Sequence, residues 1–324
     1  MKGRRLIVLG ICVSLIAVVL TGCGVISNII SSFGTDEGSE LNAAILAASE
    51  AESIEAEGTF DLEVSMNYGG EEVAGLETNM GMKLTGTVHA SSFTEPMKTK
   101  VNLKVDLSGI QGLLGTQETD EISTMEVDTY MMEQDGNYVN YMKTNYAGDN
   151  QWIKQIIGNA DEMKEAQSEV NQLDAKLFMD DKYTYEEQPD AEENGKSYKV
   201  YICKVPKESI LEILKGINGV SSPLAGYDSG MVDAVSEYLT DIEYTIWIDK
   251  DEKQLYRVTM PLANMLNNIL QKVMEEQKEQ TNELMQLMGS VKVEKFDFDI
   301  RYTNYNKVED FELPKEAMSA EEIK

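Results

Sequence analysis

The sequence has little of what most active sites are built from. Its 324 residues include one histidine, His89, and three cysteines, Cys12, Cys23 and Cys203. One histidine excludes a multi-histidine zinc site, and no C-x-x-C pair is available for a thiolate site. There is no G-x-S-x-G elbow, no P-loop and no G-x-G-x-x-G. Carboxylates are so plentiful that no pair stands out as a general acid and base. The reading is therefore no catalytic residue, no metal ligand set and no cofactor. His89 falls on the polar side of a strand and reads as a solvent-facing residue. Basic residues are also scarce, 28 against 57 acidic ones, for a net charge of −29. That balance excludes nucleic acid as a partner, since each phosphate contact wants Lys or Arg. The acidic run Asp190-Ala191-Glu192-Glu193 lacks the spaced ligands of a calcium loop.

Long hydrophobic runs are scarce too. One stands out, Leu6 to Leu20, fifteen residues without a charge behind a basic start at Lys2, Arg4 and Arg5. It falls short of the ~20 apolar residues that span a bilayer and has the length and flank of a signal-peptide core. It ends in Leu20-Thr21-Gly22-Cys23, which resembles the lipobox of bacterial lipoproteins. The resemblance implies cleavage before Cys23 and a diacylglyceryl group on its sulfur, with palmitate-type acyl chains. It implies a protein anchored by lipid on the extracytoplasmic face of the cell membrane. Removing residues 1–22 takes away three basic residues and no acidic one, so the charge moves from −29 to −32. A chain this acidic is repelled by anionic headgroups, so membrane attachment rests on the lipid; two acyl chains suffice where one is marginal.

The expected organisation is a signal peptide over 1–22, a lipidated tether over 23–40 and a single domain over 41–324. With Cys12 cleaved and Cys23 lipidated, Cys203 has no disulfide partner. It lies on a strand beside Tyr201 and Val205 and reads as a packed, inert thiol.

Periodicity sets the fold class. A helix is expected over 41–56, with Leu41, Ala44, Ile45 and Ala48 as its apolar stripe. From Thr59 the period drops to two: Phe60, Leu62, Val64, Met66 and Tyr68 alternate with polar residues. The same alternation recurs around Met80–Val88, Val101–Leu107 and Met125–Met131. Asp135-Gly136 and Asn194-Gly195 are hairpin turn signals. Helical stretches are expected from Trp152 to about Phe178, near 207–217 and 230–239, and from Leu262 to Met288. Two further strands turn at 249–252, and a last one runs from Val291 to Tyr302. Roughly eleven strands joined mostly by short turns imply an α+β fold with a large antiparallel sheet. One face is expected to be apolar and helix-covered, the other wet.

The segments Glu55-Ala56-Glu57-Gly58-Thr59, Tyr244–Asp249, Leu255–Val258, Phe298–Asn306 and Leu313-Pro314-Lys315-Glu316-Ala317 resemble lipoproteins of LolA-like and LppX-like fold. In particular the chain is similar to Gram-positive lipoproteins of the DUF6612 type. The resemblance covers most of 41–318 and has no catalytic motif. It implies a curved half-barrel sheet with helices over its concave side, and a space between them that accepts acyl chains. Seventeen of 18 methionines remain after cleavage, and Met66, Met80, Met82, Met97, Met125 and Met131 are read onto apolar strand faces. Methionine suits an interior that adapts to variable apolar shapes. The expected pocket lies between the 262–288 helix, through Met265 and Ile269, and the strand residues Phe60, Leu62, Met66, Met82, Leu84, Leu103 and Val105. The functional reading is a non-catalytic lipoprotein that binds a lipid or other hydrophobic ligand. The alternative is a structural or interaction protein of the envelope with a filled core. A transporter's solute-binding lipoprotein fits worse, because it needs strands alternating with helices.

Overall fold

The computed structural model describes residues 40–49, 51–67, 79–110, 123–145, 150–160, 184–211, 239–277 and 290–322. The lipobox and residues 23–39 of the expected tether, with Cys23, lie outside these residues, as do the stretches 161–183 and 212–238; the tether's last residue, Glu40, begins the first helix. The first half of the described chain forms α1 (Glu40–Ser49), β1 (Ser53–Asn67), β2 (Asn79–Phe93), β3 (Lys98–Asp106), β4 (Thr124–Gln134), β5 (Asn137–Asn145) and β6 (Trp152–Asn159). The second half forms β7 (Thr184–Glu193), β8 (Lys196–Val205), β9 (Ile242–Asp249), β10 (Leu255–Pro261), α2 (Ala263–Gln277), β11 (Ser290–Thr303) and β12 (Glu321–Glu322). No described helix is long and apolar enough to cross a membrane.

All twelve described strands belong to one open sheet in the order β12-β6-β5-β4-β3-β2-β1-β11-β10-β9-β8-β7. The large antiparallel sheet expected from the alternating pattern is present. Among the described strands the one parallel pair is β12 with β6. Each half of the sheet is a meander, and β1 pairing with β11 joins the halves. Two hairpins use the turns read from sequence. Asp135 and Gly136 take φ of 52° and 75°, and Asn194 and Gly195 take 53° and 79°. Two successive positive φ values match the right-handed twist of the flanking strands, and Asn, Asp and Gly tolerate them best. The turn after β9 is organised by Asp249. Its Oδ1 accepts from the backbone N–H groups of Asp251 and Glu252, both at 3.0 Å, and its Oδ2 from Lys196 Nζ at 2.8 Å.

Three local expectations change. The first helix stops at Ser49, and residues 53–56, expected to be helical, are already strand; four more residues of ladder with β2 and two with β11 outweigh the helical pattern. Residues 152–159, also expected to be helical, form β6 on the edge of β5. Its sequence contains three β-branched residues, Ile153, Ile156 and Ile157, which favour a strand, and pairing with β5 decides the ambiguity. Met97 sits in the turn between β2 and β3 rather than on a strand face.

The helix after β10 has a definite task. β10 ends at Pro261 opposite Asp297, which leaves the next part of β11 without a neighbour on that side. The Leu262 N–H donates to the Phe296 carbonyl at 2.7 Å. One turn into α2, the Asn267 side chain accepts from the Val293 N–H and donates to the Val293 carbonyl, both at 2.7 Å. The amide stands in for a missing strand residue, and the helix closes an edge that would otherwise expose backbone groups. Residues 278–288, expected to continue this helix, lie outside the described set.

The outer face departs from the expected wet surface at two places. On β4–β6, Tyr130, Val139 and Tyr141 form a second buried cluster with Ala317, with Trp152, Phe311 and Leu313 packed against it. The chain after β11 crosses this face as a strap, fixed by the Lys98–Asp310 ion pair, by Lys98 against the rings of Phe93 and Phe311, and by β12. On β8–β10, Tyr198 stacks on Tyr256 at 4.3 Å and the Arg257 guanidinium lies 4.8 Å over the Trp247 ring.

Candidate functional site

Registering the strands shows how the apolar face is built. One row across the sheet reads Met260, Phe298, Phe60, Gly86, Val105 and Met125. The next reads Tyr201, Ile246, Val258, Ile300, then Gly58 and Val88, continuing to Leu103 and Val127. The pleat puts every second residue on one side, so eight adjacent strands present a continuous apolar surface. Leu41, Ala44 and Ile45 of α1 belong to the same buried cluster. Among the described helices, this is the one that supplies buried side chains to it.

The expected pocket residues separate into two groups. Phe60, Leu103 and Val105 are each 3% exposed and belong to the filled core. The filling at this level comes partly from Phe60. A Cβ on Gly86 would fall inside the Phe60 ring, and 2.9 Å from the Lys104 carbonyl oxygen. Glycine is needed at 86 because the Phe60 ring occupies the space above it. Leu62, Met82, Leu84 and Met265 are half-buried. Met82 and Leu84 pack against the core from one end of it, together with Met260, Leu262 and Phe296. This end is aromatic as well as aliphatic, with Phe296 edge-on to Phe298 at 4.9 Å. Met66 and Ile269 lie in β1 and α2, with their side chains outside the described set. Sequence reasoning missed Met260, Leu262 and Phe296. Their alternation was legible, but their placement beside Leu62 and Leu84 depends on β11 pairing with β1 across more than 200 residues.

Two other residues singled out from sequence have plain surroundings. Cys203 is 1% exposed, and burial pushes its thiol well above the usual range, which leaves little thiolate to react. His89 is exposed, 3.5 Å from Glu57 on the polar face. Among the described residues no group of three His, Cys, Asp or Glu is placed to hold a metal ion.

The polar face over β11, β1, β2, β3 and β4 carries ion pairs and a cavity of about 600 Å3. Lys295 Nζ lies 2.8 Å from Asp61 Oδ2, and Lys83 Nζ 3.7 Å from Asp61 Oδ1. The hydrogen bond from Lys295 holds the Asp61 carboxyl below the usual carboxylate range. Arg257 grips Asp299 in a bidentate pair at 2.9 and 2.5 Å.

No protein-family model matches the sequence, and no curated protein matches it. Solved structures do resemble the fold. The lipoprotein LppX of Mycobacterium tuberculosis is 11% identical, with a TM-score of 0.37, over 84% of this chain and 95% of that one. LprF from Mycobacterium bovis is 11% identical, with a TM-score of 0.33, over 82% and 90%. A DUF1329 family protein from Desulfovibrio piger is 10% identical, with a TM-score of 0.20, over 81% and 88%. At this level of likeness, the strand order and register described above are what establish the architecture.

Proposed function

We propose that this chain is an exported, non-catalytic lipoprotein, anchored through lipid on Cys23, whose sheet holds a lipid or other hydrophobic ligand against its apolar face. The observation that carries the reading is the half-buried end of that face, where Leu62, Met82, Leu84, Met260 and Phe296 meet beside α2. A ligand bound there would remove further apolar surface from water, worth roughly 25 cal/mol per Å2. Methionine at two of these positions allows the lining to follow different acyl shapes. The lipobox-like segment Leu20-Thr21-Gly22-Cys23 points the same way.

A filled-core envelope protein is the second reading, and the 3% exposure of Phe60, Leu103 and Val105 favours it. The two readings part in a fluorescent fatty-acid titration, with native mass spectrometry of protein purified from bacteria. The expected result is saturable probe uptake by wild type and loss of uptake in Leu84→Trp, with its denaturant midpoint little changed. Leu103→Trp should instead destabilise, by roughly 1–3 kcal/mol, as overpacking does. No uptake by wild type, no co-purified lipid and unfolding of Leu84→Trp together would establish the filled core.

A further inference from the structure

The half-buried end of the apolar face carries two thioethers. Met82 of β2 and Met260 of β10 pack against the core there, beside Leu84, Leu262 and Phe296. They come from separate strands: Met82 stands opposite Val64 of β1, and Met260 opposite Phe298 of β11. Two other methionines have contrasting surroundings. Met125 ends the row that Met260 begins, and is 4% exposed inside the filled core. Met318 belongs to the strap over the outer face and is 65% exposed.

Partial exposure has a chemical consequence. Hydrogen peroxide is little larger than water, so it reaches a sulfur that solvent reaches and not one sealed in a close-packed core. The sulfur lone pair attacks one peroxide oxygen, and the S–O bond forms as the O–O bond breaks. The sulfur is oxidised by two electrons, and the other peroxide oxygen leaves as water. The product, methionine sulfoxide, is polar, and methionine sulfoxide reductases return it to the thioether. Its oxygen accepts hydrogen bonds that a hydrocarbon ligand cannot donate. With the site empty, water reaches that oxygen; with the site filled, it is buried against the ligand. Oxidation at Met82 and Met260 therefore penalises the occupied state and spares the empty one. Met125 is the position where a sulfoxide would disrupt the core itself, and packing seals it.

We infer that Met82 and Met260 form a reversible oxidation switch on the hydrophobic site: peroxide closes the site to apolar ligands, and a bound ligand shields both sulfurs. The inference rests on the proposed hydrophobic-ligand function. The proposed extracytoplasmic location lies outside the reducing cytosol. The test treats the folded protein with hydrogen peroxide and follows it by peptide mass mapping and by the fluorescent fatty-acid titration. Met318 should gain oxygen first, Met82 and Met260 next, and Met125 last. Once Met82 and Met260 carry sulfoxide, uptake should weaken about tenfold or more, the effect of one buried polar group left without a partner. The melting temperature should change little, and a pair of sulfoxide reductases, one for each epimer, should restore uptake. The double variant Met82→Leu, Met260→Leu keeps apolar volume and should take up the probe equally before and after peroxide. Met318→Leu should lose uptake as wild type does. Saturating fatty acid should slow oxygen gain at Met82 and Met260 and not at Met318. The switch is overturned if protein carrying both sulfoxides takes up the probe as untreated protein does, or loses uptake only by unfolding. It is equally overturned if these two sulfurs oxidise no faster than Met125, or if bound fatty acid leaves them unprotected. In each of those cases uptake by untreated protein leaves the hydrophobic site standing. No uptake by untreated protein removes the site, and the switch with it.

Discussion

At the scale of single residues, Gly86 and Asp249 show how a position acquires its requirement. Gly86 has no unusual backbone angle, and its need is spatial: the Phe60 ring lies where a side chain would go. Gly86→Ala should destabilise by about 1–3 kcal/mol, as overpacking does. Combining it with Phe60→Leu should cost less than the sum of the two, because the smaller side chain vacates the contested space. A double-mutant cycle in urea with a coupling below about 0.5 kcal/mol would contradict this contact. Asp249 is 5% exposed and meets three donors. Burial alone would raise its carboxyl, but the Lys196 ammonium and the two backbone N–H groups hold it below the ordinary value. A depressed folded-state value means that its stabilisation is complete above the unfolded value, ~pH 3.9. It is lost as pH falls through the lower folded value. Asp249→Asn should therefore lower stability at pH 7 by about 1–3 kcal/mol. That range lies below the cost of breaking a fully buried pair because Lys196 is half exposed. The variant should also flatten the acid limb of a stability–pH profile below about pH 4.

At the scale of elements, α2 and the strap after β11 both finish parts of the sheet that strands leave incomplete. The Asn267 amide completes the β11 ladder at Val293. Asn267→Ala should leave a backbone donor and acceptor without that partner and cost about 1–3 kcal/mol. Asn267→Asp keeps the acceptor and loses the donor, and should fall between the two. Amide hydrogen exchange at Val293 checks the assignment directly. Faster exchange confined to the middle of β11 is expected, and unchanged protection would show that the helix is not what protects it. The strap does the same for the outer face of β4–β6, where Tyr130, Tyr141 and Trp152 would otherwise be bare aromatic surface. Phe311 and Leu313, two apolar residues just after the last long strand, were the signal for this cover.

At the scale of the whole molecule, the proposed membrane attachment has no electrostatic help, because a chain of net charge −29 is repelled by anionic headgroups. The proposed attachment therefore depends on one sulfur. Cys23→Ser should abolish incorporation of labelled fatty acid and move the protein from the membrane fraction to the soluble one, because the thioether cannot form. Labelling that survives the substitution would contradict the lipobox reading.

The strand faces were legible from sequence alone. A period of two over Phe60–Val64, Met82–Val88 and Val101–Leu107 determines which side chains share a face, because a shift of one residue would invert them all. Leu103 and Val105 are buried and Lys104 exposed on that account, though Asn102 is half-buried, donating to Glu126 and Asp128. The Asp-Gly and Asn-Gly turns were legible too, because positive φ is a local requirement with few residues able to meet it. What only tertiary structure decided was partnership across long separations. β1 pairs with β11, Phe296 comes to lie beside Leu62, the strap covers Tyr130, and α2 meets an edge rather than laying a buried stripe over the sheet. Periodicity reports that a residue has an apolar side. It carries no information on what covers that side, because burial against a helix, a strand edge or a ligand removes the same water.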